Sequence, residues 1–394
     1  MSAQPHIAPR EAPPGEPHHA GPLLVAQPPA GIAHPTLAAM LLHSCERFTG
    51  VALHQRRDRQ ELSLSYPDLS LQAGQLARGL IALGVPQGAR VGILSSTRAE
   101  WTLADCAALW AGAVVVPVYH TNSPAECSYV LAHSDTQVVF CEDHAQVAKL
   151  LRAREDLPAL RHIVLLVDEA QEQPAEASAP TTPAAEVISL ARLRQLGADV
   201  PAGELEARIQ AGRPEQLATL VYTSGTTGPP KGCMLTHANL LAATAMYQQV
   251  LSLRAEDVLY QFLPLAHVLA RVAQLVVLSV GARIEFWGGD PGEIVAELGE
   301  LSPTHFPAVP RVYEKIHSAI LDAAEESPRL HRALFMRALA QSRRLREAQL
   351  AGRRVSPAAR LRRTLGDRLV LARPRRRIFG SRLRTALVGA APAA

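Results

Sequence analysis

The chain has 394 residues, 48% of them hydrophobic and 19% charged, which is enough apolar content to bury a core and excludes wholesale disorder. Five scattered cysteines (Cys45, Cys106, Cys127, Cys141, Cys233) argue against a disulfide scaffold or a zinc ribbon and for a reducing cytoplasm; no apolar run is long enough to span a membrane, and no secretory signal opens the chain. The formal net charge of +4 hides an asymmetry, because Arg329–Arg384 holds 18 Arg against Glu347 and Asp367, a local charge of about +16.

Residues 1–35 carry nine prolines and four histidines (His6, His18, His19, His34) without apolar periodicity, and read as a disordered arm. Leu37–Phe48 has a helical pattern. Ala52–His54 and Glu61–Tyr66 read as short strands, and Tyr66–Leu83 as a helix that stops at Gly84. Strands are expected at Arg90–Leu94, Val114–Val118 and Gln137–Cys141, alternating with helices at Glu100–Gly112 and Ala125–Ser134. This alternation implies βαβ units and a mostly parallel sheet. Glu169–Glu186 is a low-complexity surface insertion, and a second α/β block is expected to open with the strand Leu217–Tyr222. Leu330–Leu350 and Ser356–Leu371 read as a pair of Arg-rich helices. That face admits three readings: solvated helices with Arg stems lying over apolar positions, a docking face for a partner, or contact with nucleic acid or anionic lipid. Sparse aromatics weaken the nucleic-acid reading, and no nucleic-acid partner is expected.

The chemistry concentrates in Leu220–Leu240, LVYTSGTTGPPKGCMLTHANL. A buried strand leads into Thr223, Ser224, Gly225, Thr226, Thr227, Gly228, Pro229, Pro230, Lys231 and Gly232, with a helix expected at Asn239–Leu251. Glycines let a backbone curl around an anion and aim N–H groups at it, the hydroxyls donate to phosphate oxygens, and Lys231 adds a mobile cation. It is not a Walker A loop, because Gly232 stands where that motif has Ser or Thr.

The segment resembles the signature loop of the adenylate-forming (AMP-binding) superfamily, which includes acyl-CoA synthetases, firefly luciferase and peptide-synthetase adenylation domains. Val91–Asp143, Tyr260–Arg271 (YQFLPLAHVLAR) and Val388–Ala394 (VGAAPAA) resemble further family segments. Phe306–Ile316 (FPAVPRVYEKI) resembles the long-chain fatty acid branch. The resemblance covers residues 36–394 and implies a large N-terminal α/β domain with mostly parallel sheets flanked by helices. It implies ATP, Mg²⁺ and coenzyme A as reactants. A fatty carboxylate would attack the α-phosphate of ATP, and CoA would then take the acyl group from the acyl-adenylate. By the same resemblance Thr223, Ser224, Gly225, Thr226, Thr227, Gly228 and Lys231 would hold phosphates. Thr223 would also touch Mg²⁺, His267 would lie beside the acyl carboxylate, and Gly389, Ala390, Ala391 and Pro392 would pack on adenine.

The family's later Thr-Glu and Thr-Gly-Asp elements and its lid lysine do not occur in these 394 residues; the lysines are Lys149, Lys231 and Lys315. The expectation is therefore a C-terminally truncated domain of impaired activity, cytoplasmic or peripheral at the inner membrane surface. A partner chain could supply the C-terminal half. The rival readings are a fatty acyl-AMP ligase and a non-catalytic nucleotide- or lipid-binding remnant.

Overall fold

The computed structural model describes residues 34–57, 60–167, 185–223, 228–326, 328–353 and 356–389. The expected N-terminal arm, up to residue 33, and the expected insertion, up to residue 184, lie outside the described residues.

In chain order the strands are β1 (Val51–Arg57), β2 (Gln60–Ser65), β3 (Arg90–Leu94), β4 (Val114–Val118), β5 (Thr136–Cys141), β6 (His162–Leu165) and β7 (Glu186–Ser189), followed by β8 (Leu217–Thr223) and β9 (Lys231–Thr236). After these come β10 (Val258–Gln261), β11 (Arg283–Phe286), β12 (His305–Ala308) and β13 (Thr385–Val388). They build a seven-stranded sheet, β7-β6-β5-β3-β4-β8-β9, and a six-stranded sheet, β13-β12-β10-β11-β1-β2. All neighbours run parallel except the edge pairs β8–β9 and β1–β2. The α/β class with mostly parallel sheets is therefore as expected.

Alternation along the strands gives the seven-stranded sheet two buried faces. Val91, Ile93, Val115, Val138 and Phe140 face a core shared with Leu53, Ile284 and Phe286 of the other sheet. Leu94, Val116, Val139 and Cys141 face a second core closed by the helices Pro124–His133 and His144–Arg152. The helix Ala99–Trp110 is buried at every position but Glu100, as befits an element enclosed on all sides. Local signals place the helix ends. Ser65 and Asp68 form a capping box before Tyr66–Ala82, Ser123 and Glu126 form another before Pro124–His133, and Gly84 takes φ +75° beyond the first of these helices.

Two expectations change. The chain does not divide at Leu217. β8 and β9 complete the first sheet, whereas β1 and β2 join the strands formed by the last part of the chain. The glycine-rich loop also does not run from strand to helix. It is the tip of an antiparallel β8–β9 hairpin, and the helix His237–Leu251 begins only after β9, capped by Thr236 and Asn239. The Arg-rich helices form as Arg329–Leu350 and Pro357–Gly366, the latter continuing through a π-turn at Asp367–Leu371 into Ala372–Phe379.

Candidate functional site

The hairpin tip stands at the carboxyl end of β8, the end of a parallel strand where open α/β sheets bind ligands. Thr223 and Lys231 are register partners across the hairpin, and both side chains are exposed. The Lys231 ammonium makes no hydrogen bond or ion pair among the described residues, so it is available to an anion. Gly228 takes φ +95°, a conformation that L side chains rarely adopt. A Cβ at Gly232 would sit 3.1 Å from the Tyr222 ring. Ser224, Gly225, Thr226 and Thr227 lie outside the described residues.

One arm of the tip is tethered. Tyr129 on the helix Pro124–His133 donates its hydroxyl to the Pro230 carbonyl at 3.0 Å, and its ring stacks on His133. The Nδ1 of His133 lies 2.8 Å from the Tyr222 hydroxyl. Burial pushes the Tyr222 phenol up to about 12. Sequence reasoning missed this tether, because Tyr129 reads as an ordinary position of an amphipathic helix.

The segment Pro264–His267 follows β10. Thr97, just beyond β3, pins it: the hydroxyl donates to Leu263 O at 2.8 Å and accepts from Leu265 N at 3.1 Å. Trp287, just beyond β11, donates its indole N–H to Thr97 O at 3.1 Å, so the carboxyl ends of three strands are tied together. His267 is exposed and caps the helix Val268–Ser279, its Nδ1 accepting from Leu269 N at 3.2 Å. Gly389, just past β13, donates to Ala308 O at 3.3 Å, and a Cβ there would lie 3.0 Å from Leu269 Cδ2. The structure thus brings Gly389 against the helix turn that His267 caps. Ala390, Ala391 and Pro392 lie outside the described residues. Among the described residues no hydrogen bond or ion pair joins Thr223 or Lys231 to His267 or Gly389.

Beneath His267, one turn along the same helix, Arg271 is fully buried and pairs with the equally buried Asp105 of the helix Ala99–Trp110. Its Nε donates to Asp105 Oδ2 at 3.2 Å, and its guanidinium carbon lies 5.9 Å from the Trp101 ring centroid. Gln274 extends the network to Thr102 at 2.6 Å. Burial pushes the Asp105 carboxyl up, against the pull of Arg271. The signal available in sequence was one charge in the middle of each of two apolar helices, Asp105 in a helix whose other acid, Glu100, lies in its first turn, and Arg271 alone in its own.

Among the described residues no group of three or more His, Cys, Asp or Glu could hold a metal ion. Thr223 contributes one hydroxyl, and a lone hydroxyl does not make a Mg²⁺ site.

The sequence model of the family described as AMP-binding enzyme matches residues 45–393. Among curated proteins, the chain is 32% identical to the peroxisomal long chain acyl-CoA synthetase 6 of Arabidopsis thaliana, over 84% of this chain and 44% of that protein. It is 36% identical to the long-chain-fatty-acid–CoA ligase FadD15 of Mycobacterium tuberculosis, over 72% of this chain and 45% of that one. The chain thus spans about half the length of the curated relatives it matches. Among solved structures, the adenylation domain of a carboxylate reductase from Mycobacterium chelonae superposes with a TM-score of 0.68 at 20% identity, over 92% of this chain and 55% of that one. At that identity the likeness concerns the fold.

Proposed function

We propose a function from one premise, that this chain belongs to the family of AMP-binding enzymes: it binds ATP at the β8–β9 hairpin tip and takes part in activating a long-chain fatty carboxylate as its acyl-adenylate, for transfer to coenzyme A. The observation that carries the reading is the exposed Lys231 ammonium, without a hydrogen-bond or ion-pair partner among the described residues, in register with the exposed Thr223 across the hairpin. Carboxylate and triphosphate repel each other, so a site that joins them needs cationic charge and fixed donors. In this reading Lys231 and the loop amides take up phosphate charge, and Thr223 donates its hydroxyl to a phosphate oxygen. By the same reading His267 meets the carboxylate through its Nε2, which has no hydrogen bond among the described residues, while its Nδ1 is engaged in the helix cap. In this reading Gly389, which donates to Ala308 O and lies against Leu269, offers backbone rather than a side chain to the adenine. The fatty substrate is supported by the names of the relatives, long-chain acyl-CoA synthetases and ligases, and by the Phe306–Ile316 segment.

Titration of the chain with a fluorescent ATP analogue tests the binding step. Lys231→Ala should weaken binding about ten-fold, as expected for the loss of one charged hydrogen bond. Gly228→Ala should weaken it as well, through strain at positive φ. Unchanged affinity in both variants would remove the phosphate-binding assignment. Pyrophosphate–ATP exchange with palmitate then tests the chemistry: exchange supports adenylation by this chain, and ATP binding without exchange supports the binding-only reading.

A further inference from the structure

We propose that the Arg-rich helical face between Arg329 and Phe379 is a docking surface for an anionic phospholipid bilayer. The inference is independent of the nucleotide site and concerns a face that the catalytic reading leaves unused. The helix Arg329–Leu350 folds back through Pro357–Gly366, and a Cβ at Gly366 would lie 3.3 Å from the Ala338 methyl, so the two helices pack closely. Phe335 and Leu345 turn inward and are buried. Leu361, Leu365 and Leu369 do not. They repeat every four residues, which sets them along one face, and they remain 61%, 48% and 74% exposed. Arg362, Arg363 and Arg368 are interleaved with them, are exposed, and have no carboxylate partner among the described residues. The two acids of the stretch are already taken, Glu347 by Arg343 at 3.2 Å and Asp367 by Arg375 at 2.7 Å.

The combination selects the occupant. A row of leucines with guanidinium groups beside it is the pattern of a helix lying in the bilayer interface, with apolar side chains among the acyl chains and cations on the phosphates. Arg stems reach sideways and keep their charge at headgroup level. A nucleic acid would use the charge but gain nothing from the leucines, and the exposed ring the face offers it for stacking is the His331 imidazole alone among the described residues, since Phe335 is buried and Phe379 half-buried. A second copy of the chain would bring the same positive face, which repels itself. None of the described helices is long and apolar enough to cross a membrane, so the contact lies in the plane of the surface.

Flotation of the whole chain with phosphatidylcholine vesicles, with and without phosphatidylglycerol, tests the proposal. The expected result is at least about ten-fold stronger binding to the anionic vesicles, weakening as salt is added. A triple Leu361→Ser, Leu365→Ser, Leu369→Ser variant keeps every charge and should lose about ten-fold or more. An Arg362→Gln, Arg363→Gln, Arg368→Gln variant should lose the preference for phosphatidylglycerol. These side chains are exposed, so circular dichroism and unfolding midpoint should stay as in the parent. As a reporter that leaves the rest of the face unchanged, L365W should shift its emission to the blue on anionic vesicles alone. The proposal is overturned by equal binding to neutral and anionic vesicles, or by a leucine variant that binds like the parent. It is also overturned by single-stranded RNA binding that tracks the vesicle binding in both variants, or by a parent dimer that the leucine variant dissolves.

Discussion

His237 sits against the N-terminal helix, its Nδ1 accepting from Leu37 N at 3.2 Å, and burial, helped by the nearby Arg271 charge, lowers the imidazole to about 4. The fold therefore holds it neutral and as an acceptor. The unfolded chain binds its proton near pH 6.5, so the native state binds fewer protons in acid, and the stabilisation is full above that pH and drains away as pH falls toward 4. Urea unfolding at stepped pH should show up to about 3 kcal/mol lost across this window from His237. His237→Gln, which keeps an acceptor but does not titrate, should flatten the curve; an unchanged slope would remove the assignment. At this scale the sequence was legible in part. The residues proposed to hold phosphate announce themselves by a dense Gly, Thr and Lys pattern. His237, Tyr129, Asp105 and Arg271 do not, since their importance comes from partners far along the chain, and no local pattern records a partner.

The hairpin tip is the element on which the functional reading turns, and its rigidity depends on another element. The Tyr129 hydroxyl joins the helix Pro124–His133 to the Pro230 carbonyl, so it limits how far one arm of the loop can swing. Tyr129→Phe removes one half-buried hydrogen bond, worth about 1 kcal/mol. The expected outcome is an ATP-analogue affinity about three-fold lower with an almost unmoved unfolding midpoint; the reverse, a lower midpoint with intact affinity, would make the tether purely structural. The limits of β3 and β4 coincide with those expected from their apolar runs, and the helix ends follow their capping residues. β9 escaped notice because KGCMLT is an edge strand, only Thr236 of it fully buried, with no apolar run for a periodic pattern to show. The same loop composition suits a strand–helix turn and a hairpin, and only the pairing of Thr223 with Lys231 tells them apart.

Across the whole molecule, the two sheets are joined through their shared helical layer, and the Asp105–Arg271 pair lies in it. Asp105→Asn leaves a buried guanidinium without its counter-charge and should cost about 3–5 kcal/mol. A double Asp105→Leu, Arg271→Met variant should recover most of that loss, because two desolvated charges are replaced by packed carbon. Equilibrium unfolding of the parent, Asp105→Leu, Arg271→Met and the double variant closes the cycle, and simple additivity of the two single losses would show that the residues act separately. The α/β class was legible from alternating strands and helices, whereas the sharing of strands between sheets was not, since alternation says nothing about which strands meet. That sharing has a consequence for how the molecule comes into being. His54 of β1 meets Glu285 of β11 across 231 residues, so a nascent chain leaving the ribosome carries the β1–β2 ribbon unmatched until β11 has been made. Assembly of the six-stranded sheet must then be late and slow, and its open strand is what a chaperone would need to shield in the meantime.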